Sequence, residues 1–177
     1  MDRLWAPWRA RYIKESSGKP RAPTPSCFLC ANHEAPAEND RANLVVWRRH
    51  HTLVVLNRYP YNNGHLLVAP VVHRASLVDL SGAELIEPIE TIQESLAILD
   101  RLFQPQGYNI GLNLGKAAGA GLPGHLHWHI VPRWDGDSNF MPVIAETRVI
   151  VESLESFYDQ FVAELARNLE PADPKTP

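Results

Sequence analysis

The chain has 177 residues, of which 45% are hydrophobic and 21% charged, and its net charge is −3. That length suffices for one domain with a sizeable core and no disulfide staples. The charge excludes a global basic field that would recruit nucleic-acid polymers or anionic membrane. No apolar run approaches the ~18 residues of a membrane span, and "MDRLWAPWRARYIK" lacks the apolar core of a signal peptide, so the cytoplasm is the expected compartment.

In chain order, residues 1–26 read as an N-terminal arm and linker: two tryptophans, then "SSGKPRAPTPS", kept extended by its prolines. A single domain is expected over residues 27–169, and "EPADPKTP", residues 170–177, reads as a disordered tail. Cys27 and Cys30, in "CFLC", have a spacing that suits a shared metal ion or a redox pair. A redox pair would open a helix in a thioredoxin-like βαβ pattern, which is not seen. Two small buried hydrophobes around Phe28 are the remaining alternative.

"NLVVWRRHHTLVVLNRYP" predicts two strands around the turn Arg48–His51, and "GHLLVAP" a third strand stopped by Pro70. A long helix follows. Ser81 and Glu84 form a capping-box pattern, and Leu85, Ile89, Ile92, Leu96, Leu99 and Phe103 recur at helical spacing. Pro88 is expected to kink this helix or mark its first turn, and Pro105 and Gly107 to end it. "YNIGLNLG" and "HLHWHIV" predict two more strands. A last helix is expected from Val151 to Leu169, with Leu154, Phe157, Phe161 and Leu165 on one face. The pattern predicts an α+β fold, a mostly antiparallel sheet layered with helices.

The segment "GHLHWHIVPRW" holds three of the eight histidines in strict alternation: His125, His127 and His129. On a strand, Leu126, Trp128 and Ile130 then face the core and the imidazoles line the other side. Such a row can be a hydrogen-bonded polar face, a metal site or a catalytic constellation, in which the middle imidazole attacks while its neighbours orient it and bind charge. The preceding loop, "NLGKAAGAGLPG", favours catalysis. Its glycines let backbone N–H groups approach an anion, and Lys116 adds positive charge.

"HLHWHIVP" is similar to the motif of the histidine triad (HIT) superfamily, and the resemblance covers most of the chain. "NRYPYNNGHLLVAP" resembles the family's Asn-x-x-Pro…Gly-His segment, and "YNIGLNLGKAAGAG" its strand and glycine-rich loop. "LWAPWRARYI", "CFLC" and "PRWDGDSNFMPV" resemble the branch of diadenosine tetraphosphate phosphorylases and hydrolases related to fragile-histidine-triad proteins. The resemblance implies a five-stranded antiparallel sheet packed with a long helix and a C-terminal helix, in a homodimer.

It also implies an enzyme acting on dinucleoside polyphosphates through a nucleotidyl-histidine at His127. His125 and His129 would flank the nucleophile, with His129 on phosphate oxygens or the leaving group. Asn57 would hold the ribose, and Asn113 and the loop through Lys116, Gly119 and Gly121 would contact phosphate. His65 would support the site, or else be a core histidine at a strand start. Zinc would be held by Cys27, Cys30, His73 and His125, with His33 as a rival ligand. The chain departs from the hydrolases at Gly121, where they carry Gln, and this leans toward phosphate as the acceptor. The alternatives are hydrolysis of another nucleoside phosphate or phosphoramidate, and a noncatalytic nucleotide- or zinc-binding module.

Overall fold

A computed structural model describes residues 27–137 and 152–169; the arm 1–26, the tail 170–177 and Val151 lie outside the described residues. Its elements are α1 (Phe28–Glu34), a 3₁₀ turn (Ala37–Asn39), α2 (Asp40–Asn43), β1 (Val45–Arg48), β2 (Thr52–Leu56), β3 (Leu66–Pro70), a second 3₁₀ turn (Leu77–Asp79), α3 (Ala83–Phe103), β4 (Gly107–Leu112), a third (Lys116–Ala118), β5 (Trp128–Arg133) and α4 (Leu154–Leu169). Five strands form one sheet in the order β1-β2-β3-β5-β4, and every neighbouring pair is antiparallel. No described helix is long and apolar enough to cross a membrane.

The apolar runs of β2 and β3 are buried at every position, as expected of central strands. One cross-strand row runs Val45, Val55, Leu67, His129 and Gly111. The next row, Val54, Val68, Trp128 and Leu112, points to the opposite face. Val54 and Val68 join Ile98, Leu99 and Phe161 in the core, all essentially without solvent exposure. Each such side chain contributes roughly 1.5–3 kcal/mol by leaving water.

Several sequence expectations shift. The last strand begins at Trp128, not His125, because its partner β3 ends at Pro70, which has no N–H to extend the ladder. Leu126 N–H instead donates to the Arg74 carbonyl at 2.6 Å. The helix α3 has no capping box: Gly82, at φ 51°, leads into it without a side-chain cap, and Ser81 contributes only its carbonyl to Glu84 N–H. Pro88 is buried inside α3 rather than at its first turn. The helix ends at Phe103 on a left-handed Gln104, before Pro105 and Gly107.

The buried stripe of α3 is also rotated from the expected one. It runs Pro88, Thr91, Ile92, Ser95, Ile98 and Leu99, and leaves Ile89 43% exposed. The helix α4 buries Phe157, Phe161 and Leu165 as expected, and Leu154 is half-buried. Its first turn is capped by Ser153, whose Oγ accepts the Ser156 N–H. Two short helices, α1 and α2, have no counterpart in the sequence reading.

Candidate active site

The seven-residue α1 is too short to be stable alone, and it is held at both ends. At its C-terminus the Arg48 guanidinium donates to the carbonyls of Asn32, His33 and Ala35 and to the Asp40 carboxylate. The last carbonyls of the helix thereby gain the donors that its own turns cannot supply. At its N-terminus Cys27 Sγ lies 3.1 Å from His125 Nδ1, and Cys30 Sγ lies 3.2 Å from His73 Nδ1 and 3.5 Å from His125 Nδ1.

These four ligand atoms all lie within 4.8 Å of one another. A tetrahedral zinc with Cys₂His₂ ligation sets its donors roughly 3.3–3.8 Å apart, so the spacing fits. His125 Nε2 donates to the Pro70 carbonyl at 2.8 Å, which leaves Nδ1 unprotonated toward the thiols. Burial, with Cys27 beside it, pushes the Cys30 thiol up to about 11; a cation favours the thiolate instead. His33 is exposed on the last turn of α1 and is not in this group. His125 therefore separates from the other two histidines of the motif: it is 1% exposed and turned toward the cysteines.

His127 and His129 face a different environment. His127 Nδ1 donates to the His125 carbonyl at 2.8 Å, so Nε2 carries the lone pair. The ring is buried, and desolvation holds its pKa below the ordinary 6.5. His129 takes the opposite tautomer through its neighbours. Tyr61 N–H donates to His65 Nδ1 at 3.0 Å, so His65 Nε2 carries hydrogen and donates to His129 Nδ1 at 2.9 Å. His129 Nε2 then bears the proton and faces the Asn113 carboxamide at 3.4 Å. Burial, then the proximity of His127, lowers His129 to about 4. One ring offers a lone pair and the other an N–H, with centroids 5.0 Å apart.

Gly64 precedes His65 at φ +75°, and a Cβ there would meet Pro132 Cγ at 3.0 Å. Glycine is needed at this position for both conformation and space. Asn57 lies beside His65, its Nδ2 at 3.2 Å from His65 Nδ1, while its Oδ1 accepts the Tyr59 N–H.

Both rings open into a cavity of about 740 Å³. Its walls include Phe28 and Asn32 of α1, Asn43 of α2, Leu44, Val55, Asn57, Tyr61, Leu67, Gly121 and Leu122. Of the residues expected from the sequence, Asn57, Gly121, His127 and His129 meet at this cavity; His65 sits behind His129 at its Nδ1, and Asn113 lies beside its Nε2. Lys116 and Gly119 lie on the exposed loop outside its lining. Phe28, Asn32 and Asn43 were missed because the short helices that carry them show no apolar period.

A family model described as "HIT domain" matches residues 38–136. An AP-4-A phosphorylase of Mycobacterium tuberculosis is 39% identical over 168 residues, covering 94% of this chain and 86% of that protein. A bis(5'-nucleosyl)-tetraphosphatase [asymmetrical] of Schizosaccharomyces pombe is 31% identical over 93 residues, 52% of this chain and 50% of that one. Among solved structures, a Zn-bound histidine triad family protein from Mycobacterium smegmatis superposes with a TM-score of 0.59 at 28% identity, covering 81% of this chain and 95% of that one.

Proposed function

The chain belongs to the histidine triad (HIT) family, and from that premise we propose that it is an enzyme cleaving dinucleoside polyphosphates by phosphorolysis, with His127 as the nucleophile. The observation that carries this reading is the hydrogen bond from His127 Nδ1 to the His125 carbonyl at 2.8 Å, which leaves Nε2 free to attack. The Nε2 lone pair forms a P–N bond to the α-phosphorus, and the bond to the bridging oxygen breaks. The leaving nucleoside polyphosphate departs with that oxygen and its electron pair. The protonated Nε2 of His129 donates to a phosphate oxygen where negative charge grows. An oxygen of inorganic phosphate then attacks the same phosphorus, the P–N bond breaks, and His127 is regenerated. Asn57 holds the ribose, while Asn113, beside His129 Nε2, and Gly121, at the cavity wall, contact phosphate; Lys116 and Gly119 lie outside the cavity lining and have no contact in this reading.

Zinc is the metal that the Cys27, Cys30, His73 and His125 donor set suits, and when bound it supplies a structural lock rather than chemistry. The reading includes a homodimer, supported by the exposed Ile86 and Ile89 on α3 and Ile110 on the edge strand β4.

The acceptor is testable through its products. With diadenosine tetraphosphate, phosphorolysis yields ADP and ATP, whereas hydrolysis yields AMP and ATP. Gly121 favours phosphate because it leaves open space at the cavity wall: a Cβ there would meet nothing within 4 Å. Chromatography with and without phosphate should show ADP replacing AMP. AMP as the product at saturating phosphate would replace the phosphorylase reading with a hydrolase one. Gly121→Gln, which the space admits, should move product toward AMP.

A further inference from the structure

The cavity is polarised across the sheet. In the row Val55–Leu67–His129, the histidine stands on β5, two strands from β2. Two strand spacings are about 10 Å, so the apolar floor made by Val55 and Leu67 separates the imidazoles from the far wall. That wall is formed by the C-terminal part of α1, clamped to Arg48 of β1, and by α2, and it carries two carboxamides, Asn32 and Asn43, beside Leu44. Phe28 and Asn32 are four residues apart on α1 and share a face.

The polar atoms of this wall are arranged unevenly. Asn32 Nδ2 donates to the Asn43 main-chain carbonyl at 3.4 Å. Only an N–H can meet a carbonyl, so the orientation of the Asn32 amide is set and its Oδ1 is an acceptor. The Asn43 side chain makes no hydrogen bond among the described residues, and both residues are half-buried. A half-buried carboxamide without a protein partner gains from a ligand that supplies one. The backbone of Asn32 is also fixed, its carbonyl accepting from Arg48 Nη2 at 2.7 Å.

We propose that Asn32 and Asn43 read the edge of the nucleotide base and select a 6-aminopurine. This rests on the nucleotide reading of the site. A base lying over Val55 and Leu67, with its phosphate at His127 and His129, turns its far edge to the two carboxamides. Asn32 Oδ1 accepts an N–H of the exocyclic amine, and Asn43 Nδ2 donates to the neighbouring N1, the ring nitrogen that carries a proton in a 6-oxopurine. Adenine offers that donor–acceptor pair on one edge. A 6-oxopurine puts an oxygen against Asn32 Oδ1 and leaves that acceptor unpaired.

The test is equilibrium binding of AMP and IMP, measured by calorimetry on the full chain. The wild-type protein should bind AMP about tenfold or more tightly than IMP, the size of one well-placed contact. Asn43→Leu and Asn32→Leu should each bring the ratio close to one. Asn43→Asp, which replaces the donor by an acceptor, should move the ratio toward IMP. Circular dichroism establishes that each variant is folded, and because the two residues lie on different helices one variant suffices if the other fails to fold. Equal wild-type affinity for AMP and IMP, or a ratio that survives in the folded Leu variants, overturns the assignment. Binding of neither nucleotide overturns the nucleotide reading itself, and the assignment with it.

Discussion

A histidine that attacks phosphorus needs its lone pair on the nitrogen facing the substrate, and it needs to be neutral. His127 meets the first condition through one hydrogen bond to a main-chain carbonyl two residues earlier, and the second through burial, which lowers its pKa. His129 is supplied with the complementary tautomer by the relay from Tyr61 N–H through His65. The two substitutions should therefore differ in kind. In the proposed mechanism His127→Ala removes the attacking atom and should lower kcat by more than about 10⁴-fold, while calorimetry still detects nucleotide. His129→Ala removes a donor to the developing charge and should cost about 10²- to 10⁴-fold. Retention of most of the wild-type kcat by His127→Ala would remove it as nucleophile. The alternation of the three imidazoles was readable from sequence and the family resemblance implied a role for each, but the hydrogen bonds that orient the rings for such a division were not readable. That division depends on Pro70 and Tyr61, 55 and 68 positions away from the rings they orient or whose neighbour they orient: Pro70 takes the His125 N–H and Tyr61 sets the tautomer of His65.

At the scale of elements, α1 links the two clusters of functional side chains. Its first turn carries Cys27 and Cys30, its cavity face Phe28 and Asn32, and its C-terminal carbonyls the Arg48 clamp. Leu29 is its single buried side chain, so apolar burial contributes only about 2 kcal/mol toward docking it. The cysteine–histidine cluster supplies the remaining tether, joining α1 to His73 after β3 and His125 before β5. Protein purified without chelator should carry about one zinc per chain. Cys27→Ser should lose that metal and lower Tm by roughly 5–10 °C, the shift that about 2–3 kcal/mol produces in a chain of this size. Metal analysis and a thermal melt check both. A metal-free wild-type protein with the same Tm as Cys27→Ser would return the cysteines to small packing residues. Sequence spacing was enough to pair Cys27 with Cys30, but α1 itself went unread because seven residues with one buried position show no period.

At the scale of the whole molecule, the strands and long helices were legible because β2 and β3 are continuous apolar runs and α4 repeats its apolar residues at helical spacing. The rotated stripe of α3 was not. Its sequence carries apolar residues around more than one face, and Thr91 and Ser95 occupy buried positions that a polarity pattern assigns to solvent. The same burial that shapes the site has a consequence for the folded state as a unit. His129 is enclosed by His65, His127, Tyr61 and Asn113, with no carboxylate among these neighbours. Burial brings it from the ordinary 6.5 to about 4. Between those values the unfolded chain binds a proton that the folded chain refuses, so stability rises with pH across this window. Equivalently, the contribution is fully present above 6.5 and is lost as pH falls toward 4. Glu164, lowered by Arg101 and then Arg167, acts in the same direction but only below its ordinary 4.5. The midpoint of urea unfolding should therefore be flat from pH 8 to about 7 and then decline toward pH 4.5. His129→Asn, which has no proton to take up, should show a shallower decline across that interval. If the wild-type and His129→Asn curves run parallel from pH 6.5 to 4.5, His129 does not titrate differently between the folded and unfolded states.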